Sequence, residues 1–129
     1  MSATNKILRM EEHGQTQCVA ASEALALIRD KWTILVLGAL RRSPSLRYNE
    51  LTRAVTGISQ RMLTLTLKRL EENGLVKRTI FATVPPRVDY ELTPMGRTLI
   101  EPLRSLLDWS LEHRAAMAEA RRVYARKTG

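Results

Sequence analysis

Residues 57–59 restrict the possible folds of this chain more than any other three. Gly57-Ile58-Ser59 stands between two short segments of helical apolar spacing and supplies both a turn and a helix start. Glycine enters the left-handed backbone region that a tight turn needs. Serine accepts from the free N–H groups that open a helix. With Ser59 as N-cap, Ile58 and Leu63 fall at the two positions of a hydrophobic staple. The spacing predicts a helix from Gln60 to about Asn73, with Gly74 as its C-terminal cap. Before the turn it predicts a helix over about Leu46 to Val55, burying Leu51 and Val55. Two helices on a short glycine turn make a helix-turn-helix.

The flanks extend this unit. A first helix is expected over Val19 to Ile28, with Leu25 and Ile28 on one face. Asp30 is a plausible N-cap for a second helix, whose Trp32, Leu35, Val36, Ala39 and Leu40 follow the spacing of a buried stripe. After Gly74, Leu75 to Thr83 is rich in β-branched residues, Val84-Pro85-Pro86-Arg87 interrupts it, and Val88 to Leu92 alternates apolar and polar. That is a β-hairpin with Arg87 expected at its tip. Thr93-Pro94 then starts a helix, threonine capping and proline at the first position. It is expected to run to about Arg126, reaching ~45–48 Å, with a kink at Pro102. Its apolar band of Met95, Leu99, Ile100, Leu103, Leu106, Leu107, Trp109 and Leu111 is wider than one small domain can cover. A second copy of the chain is the simplest partner, with Leu99, Leu103, Leu106, Leu107 and Trp109 at the interface.

The order of helix, helix, helix, turn, helix, hairpin and helix gives the expected fold class: mainly α with a small β-hairpin wing (α+β). It is a winged helix-turn-helix with a long C-terminal dimerisation helix. Residues 18–109 form the expected domain, overlapped by the long helix at 94–126. Residues 1–17 precede it as an arm, flexible or dimer-contacting, which Ile7, Leu8 and Met10 can anchor.

The helix after the turn carries the functional signal. Leu63, Leu67 and Leu70 share a face and belong to a core, so Gln60, Arg61, Thr64 and Lys68 point away. All four can donate hydrogen bonds and none is acidic. Such a face suits a DNA major groove, where arginine pairs with guanine and glutamine with adenine. Ser59 and the helix start can hold a phosphate. Charge supports this. Ten basic residues against three acidic ones lie between Arg41 and Arg87, which is +7 of the chain's +8. Within that stretch Arg47, Lys77 and Arg78 are phosphate candidates, and Arg87 on the wing is a minor-groove candidate. The alternative for each is a merely solvated basic surface.

Other classes lack their motifs. There is no phosphate-binding glycine loop and no nucleophile elbow. One cysteine and two histidines leave no multi-cysteine zinc site and no histidine pair at metal spacing, so neither cofactor nor metal is expected. No enzyme activity is expected. A non-specific architectural nucleic-acid protein remains an alternative. No apolar run approaches a membrane span, and Met1 to Gln17 lacks the apolar segment of a signal peptide, so the cytoplasm is the expected compartment.

The chain resembles the HxlR-type winged-helix transcriptional regulators of bacteria. The resemblance is carried by Asp30-Lys31-Trp32-Thr33 with Ile34-Leu35, by Arg47-Tyr48-Asn49-Glu50-Leu51, and by Gly57-Ile58-Ser59-Gln60-Arg61-Met62-Leu63-Thr64. Leu70-Glu71, Gly74-Leu75-Val76, Pro85-Pro86-Arg87-Val88-Asp89-Tyr90, Leu92-Thr93 with Gly96, and Pro102-Leu103 with Trp109 continue it. It spans roughly Cys18 to Trp109. Tyr48 departs from it, standing where phenylalanine is expected. The resemblance implies a homodimer joined through the C-terminal helix and the N-terminal region. Its recognition helices would occupy successive major grooves of a pseudo-palindromic DNA operator, half-sites ~34 Å apart. Repression or activation would follow.

Cys18 has two readings. Directly before the first helix, a thiol meets the positive end of the helix dipole, which favours thiolate. The resemblance implies a one-cysteine switch there, modified by an electrophile or oxidant. The other reading is a small, inert packing residue. A non-covalent inducer at the dimer interface, lined by Trp32, Trp109, Met62 and Met95, is the competing switch.

Overall fold

A computed structural model describes residues 14–129. Among the described residues five helices and three strands follow in order: α1 (Gly14–Leu27), α2 (Lys31–Arg41), β1 (Leu46–Arg47), α3 (Tyr48–Ala54), α4 (Gln60–Glu72), β2 (Val76–Phe81), β3 (Arg87–Leu92) and α5 (Pro94–Thr128). The strands form one antiparallel sheet in the order β1-β3-β2, pairing Leu46 with Tyr90 and Val76 with Leu92. The expected mostly helical, winged architecture is present, with one strand more than the hairpin. Leu46 and Arg47 were expected to open the third helix. They pair instead with Tyr90 and Asp89, and the helix begins at Tyr48. Two residues are too few to show the alternation that marks a strand in sequence.

The core lies between the helices and one face of the sheet. Val36, Leu37 and Leu40 of α2, Leu51 of α3, and Leu63, Leu67 and Leu70 of α4 are all buried. Val76 and Leu92 close the core from the sheet, and Leu103 closes it from α5. The α2 stripe is rotated from its expected position. Val36, Ala39 and Leu40 of the expected stripe are buried, joined by Thr33 and Leu37, whereas Leu35 is exposed and Trp32 half-buried. Both sets satisfy helical spacing, and only the neighbouring elements choose between them.

Local caps set where elements begin. Asp30 accepts from the Thr33 N–H at 2.9 Å, Ser59 from the Met62 N–H at 3.0 Å and Thr93 from the Gly96 N–H at 3.0 Å. Gly57 takes a φ of 86°, which the turn between α3 and α4 requires. Thr93 also donates to the Gly74 carbonyl at 2.6 Å, tying the start of α5 to the end of α4. There the helix approaches so closely that a Cβ on Gly96 would overlap the Leu75 carbonyl oxygen.

Two expectations at the ends change. Helix α1 is already formed at Gly14, ahead of the expected Val19, and it contains no buried residue among those described. Leu25 is exposed, and Ile28 lies past the helix, against the core. Residues 14–17 of the expected arm are therefore helical, while Ile7, Leu8 and Met10 lie outside the described residues. Helix α5 spans 35 residues, about 52 Å, and continues through Pro102 to Thr128. Leu103, expected at a dimer interface, is only 5% exposed and belongs to the protomer's own core, with Leu99 packed beside it. From Leu106 onward the band is open: Leu106, Leu107, Trp109 and Leu111 are 40–74% exposed.

Candidate nucleic-acid interface

Helix α4 divides its residues as its spacing predicts. Leu63, Thr66, Leu67 and Leu70 point into the core. Gln60, Arg61, Thr64 and Lys68 are exposed and line one shallow depression on the opposite side. No acidic residue occurs in the first turn, and the Ser59 cap leaves other N–H groups of that turn free. The depression has one further member. Leu65 is 45% exposed among these polar groups, an apolar surface of the kind that meets a thymine methyl. An apolar residue one step off a core stripe reads as core in sequence, so Leu65 escaped notice there.

Tyr48 joins α3 to this face. Its hydroxyl donates to the Gln60 carbonyl at 2.9 Å and lies 2.9 Å from Thr64 Oγ1. The ring is half-buried against the core. Beyond it, Thr64 and Lys68 continue into a groove shared with Arg78 and Tyr90. Burial holds the Tyr90 phenol above its ordinary pKa, and the charge of Arg78 opposes this.

The basic candidates separate into groups. Arg47 is exposed at the start of α3, where its backbone N–H is held by Glu50 at 2.9 Å. It lines one depression with Arg53, which sequence analysis had not singled out, and with Arg87. Arg78 lies 3.5 Å from Glu71, and Lys68 lies 3.9 Å from Glu72. Strand pleating puts Lys77, opposite Glu91, on the other face of the sheet from Arg78, so it is not brought to α4.

Arg87 corrects an expectation. It opens β3 instead of standing at the wing tip, which is formed by Thr83, Val84, Pro85 and Pro86. Its guanidinium sits 3.2 Å from the Asp89 carboxylate and 4.3 Å above the Phe81 ring. Asp89 lies two residues on, on the same strand face, and Phe81 is the cross-strand partner. Both hold the side chain back along the sheet. The tip itself carries no charge.

Cys18 is exposed within α1. Helix already runs from Gly14, so Cys18 does not stand at the helix start on which its thiolate argument rested. Gly14, Gln15, Thr16 and Gln17 carry no apolar side chain and give no periodic signal ahead of Cys18. The four residues expected to line an inducer site have the following neighbours. Trp32 reaches Gly57, Met62 packs on the core, Met95 reaches Gly74, and Trp109 stacks on His113 at 4.6 Å. Among the described residues no three metal-ligating side chains cluster, and no helix is long and apolar enough to cross a membrane.

Comparison with known proteins agrees with this geometry. Residues 27–118 match the family described as HxlR-like helix-turn-helix. The HTH-type transcriptional regulator YtfH of Escherichia coli (strain K12) is 38% identical over 93 residues, covering 72% of each chain. The redox regulator HypR in its reduced form superimposes with a TM-score of 0.66 at 36% identity, covering 78% of this chain and 98% of that one. Diamide-treated YodB from B. subtilis gives 0.64 at 31% identity, over 70% and 89% of the two chains. The chain belongs to the HxlR-like helix-turn-helix family, whose members are DNA-binding transcriptional regulators and not enzymes.

Proposed function

We propose that this protein represses transcription as a homodimer bound to a pseudo-palindromic operator, acting in the cytoplasm where the chromosome is. The observation that carries the reading is the exposed face of α4, free of acids in its first turn: Gln60, Arg61, Thr64 and Lys68 beside Ser59, with Glu72 reached only at the far end by Lys68. These residues read bases, and Arg47 fixes the register on a phosphate. Arg78 and Arg87, engaged by carboxylates, contribute field more than direct contact. A dimer follows from two exposed apolar surfaces that water alone would cover, the α5 band beyond Leu103 and Val19 and Leu25 on α1. A second copy supplies matching surfaces to both.

The test is a binding titration of the full-length protein against its own upstream DNA and against random duplex, at several salt concentrations. A specific regulator prefers its operator by ~10³-fold or more. Equal affinity for both, with only a salt-dependent term, would leave a non-specific architectural protein. Light scattering of the same preparation reads the dimer, and a monomer at micromolar concentration would refute that part.

A second reading concerns the signal. Cys18 is exposed on a helix that buries none of its own residues, and two similar structures are of a redox regulator and of a diamide-treated protein. On this reading an electrophile or oxidant modifies Cys18, shifts the α1 contacts between protomers and releases the operator. Release of wild type but not Cys18→Ser by a quinone or diamide supports it. Equal response of both, or of neither, transfers the signal to a non-covalent ligand at the dimer interface.

A further inference from the structure

Tyr48 touches the DNA-facing side of α4 from behind, and its single proton has a consequence. The hydroxyl is 2.9 Å from the Gln60 carbonyl oxygen and 2.9 Å from Thr64 Oγ1. A phenol carries one proton, and a carbonyl oxygen only accepts. The Tyr48 proton therefore goes to Gln60. The second contact is then a hydrogen bond only if Thr64 donates its own hydroxyl proton to the Tyr48 oxygen. Thr64 is exposed in the middle of the depression formed with Gln60, Arg61, Leu65 and Lys68. With its proton committed inward, it offers the outside acceptor lone pairs and a methyl group. From sequence all four outward residues counted as donors, and Thr64 loses that role here.

We infer that Tyr48 is a specificity-determining residue, which makes Thr64 an acceptor-only reader of the major groove. An unrestrained threonine hydroxyl donates or accepts as its rotation allows, and so tolerates either kind of base edge. An acceptor-only hydroxyl suits the N6 amino group of adenine or the N4 amino group of cytosine. It is unsuited to O6 and N7 of guanine or O4 of thymine, which are acceptors themselves. Tyr48 is a positioning residue in this account: it touches no base and acts through Thr64. Its half-buried ring, packed on the core, keeps the hydroxyl in place while DNA binds. The inference rests on the reading of α4 as the DNA-contacting helix.

The experiment is selection of bound duplexes from a library randomised across both half-sites, using the full-length protein and reading base frequencies at every position. Each base pair offers one amino and one keto group in the major groove, so wild type is expected to discriminate a pair from its reverse, A·T from T·A or C·G from G·C, at one position per half-site. Thr64→Val, which keeps the shape without the hydroxyl, should lose the preference there and nowhere else. Tyr48→Phe keeps the ring and frees the Thr64 proton. It should still bind, but admit the reversed pair at that position, with discrimination reduced about two- to tenfold, the worth of one hydrogen bond. Identical frequencies for wild type and Tyr48→Phe would overturn the inference while leaving the DNA-binding reading intact. So would equal acceptance by wild type of a pair and its reverse at the position that Thr64→Val identifies. A Thr64→Val profile equal to wild type everywhere would do the same, whether or not Tyr48→Phe folds. Failure of wild type to select any sequence would remove the DNA-binding reading, and the inference with it.

Discussion

Asp30 is where stability of the helix-turn-helix can be tested most sharply, because one carboxylate joins two elements. It caps α2 through the Thr33 N–H at 2.9 Å, accepts from the buried Thr33 hydroxyl at 3.2 Å, and meets Arg69 on α4 at 3.2 Å. Loss of an N-cap costs about 1 kcal/mol. Leaving the Thr33 hydroxyl without its partner costs about 1 kcal/mol more. The ion pair is more than a third exposed on each side, so solvent screening limits it to under about 1 kcal/mol. Asp30→Ala should therefore destabilise by about 2–3 kcal/mol. Asp30→Asn keeps a capping oxygen and loses only the charge, so it should cost under about 1 kcal/mol. The pH dependence is a second check. Burial raises the Asp30 pKa, but the Thr33 hydrogen bonds and then the Arg69 charge outweigh it, holding the carboxyl below its ordinary 3.8. A depressed pKa in the folded state means stability that is present above the unfolded value. It is lost as pH falls through the folded one. The advantage of wild type over Asp30→Asn should thus be full above about pH 5 and shrink below about pH 4. Urea unfolding followed by circular dichroism, at one protein concentration because the proposed dimerisation would contribute to stability, measures both. Equal losses for Asn and Ala would refute the capping account. An Asp30→Ala loss under about 0.5 kcal/mol would refute the arithmetic as a whole.

Arg61→Ala should cost about 1–3 kcal/mol on the operator and relax discrimination at one base pair; an equal loss on random duplex would transfer Arg61 to the phosphate contacts. Arg47→Ala should reduce the slope of log affinity against log salt by about one, whereas Arg87→Ala, whose charge is already engaged by Asp89, should leave it nearly unchanged; a drop for Arg87 would refute the folded-back position. Gly96→Ala forces a Cβ onto the Leu75 carbonyl and should destabilise by about 1–3 kcal/mol in thermal or urea unfolding, and an unchanged midpoint would show that α5 moves aside without cost. Leu107→Asp, at a position 40% exposed, should leave secondary structure intact and yield a monomer by light scattering; a persistent dimer would place the interface elsewhere.

The features legible in the sequence are those decided within a few residues. Ser59, Asp30 and Thr93 cap their helices because the oxygen and the N–H groups it serves lie three residues apart. Gly57 turns because its own φ does. The inward leucines of α4 follow its periodicity, and with them the outward Gln60, Arg61, Thr64 and Lys68. What tertiary structure decided depends on partners far along the chain. Leu46 and Arg47 become a strand only because β3 arrives more than 40 residues later to accept them. Leu103 is core and Leu107 is not because the rest of the domain reaches one and stops short of the other. Arg87 leaves the tip for Phe81 across the hairpin, a contact that no pattern of alternation announces. Thr64 is the clearest case. Its place on the outward face follows from helical spacing, but the direction of its proton is set by a tyrosine 16 residues away, across a turn. Periodicity gives each side chain a direction, and only packing says what it meets there.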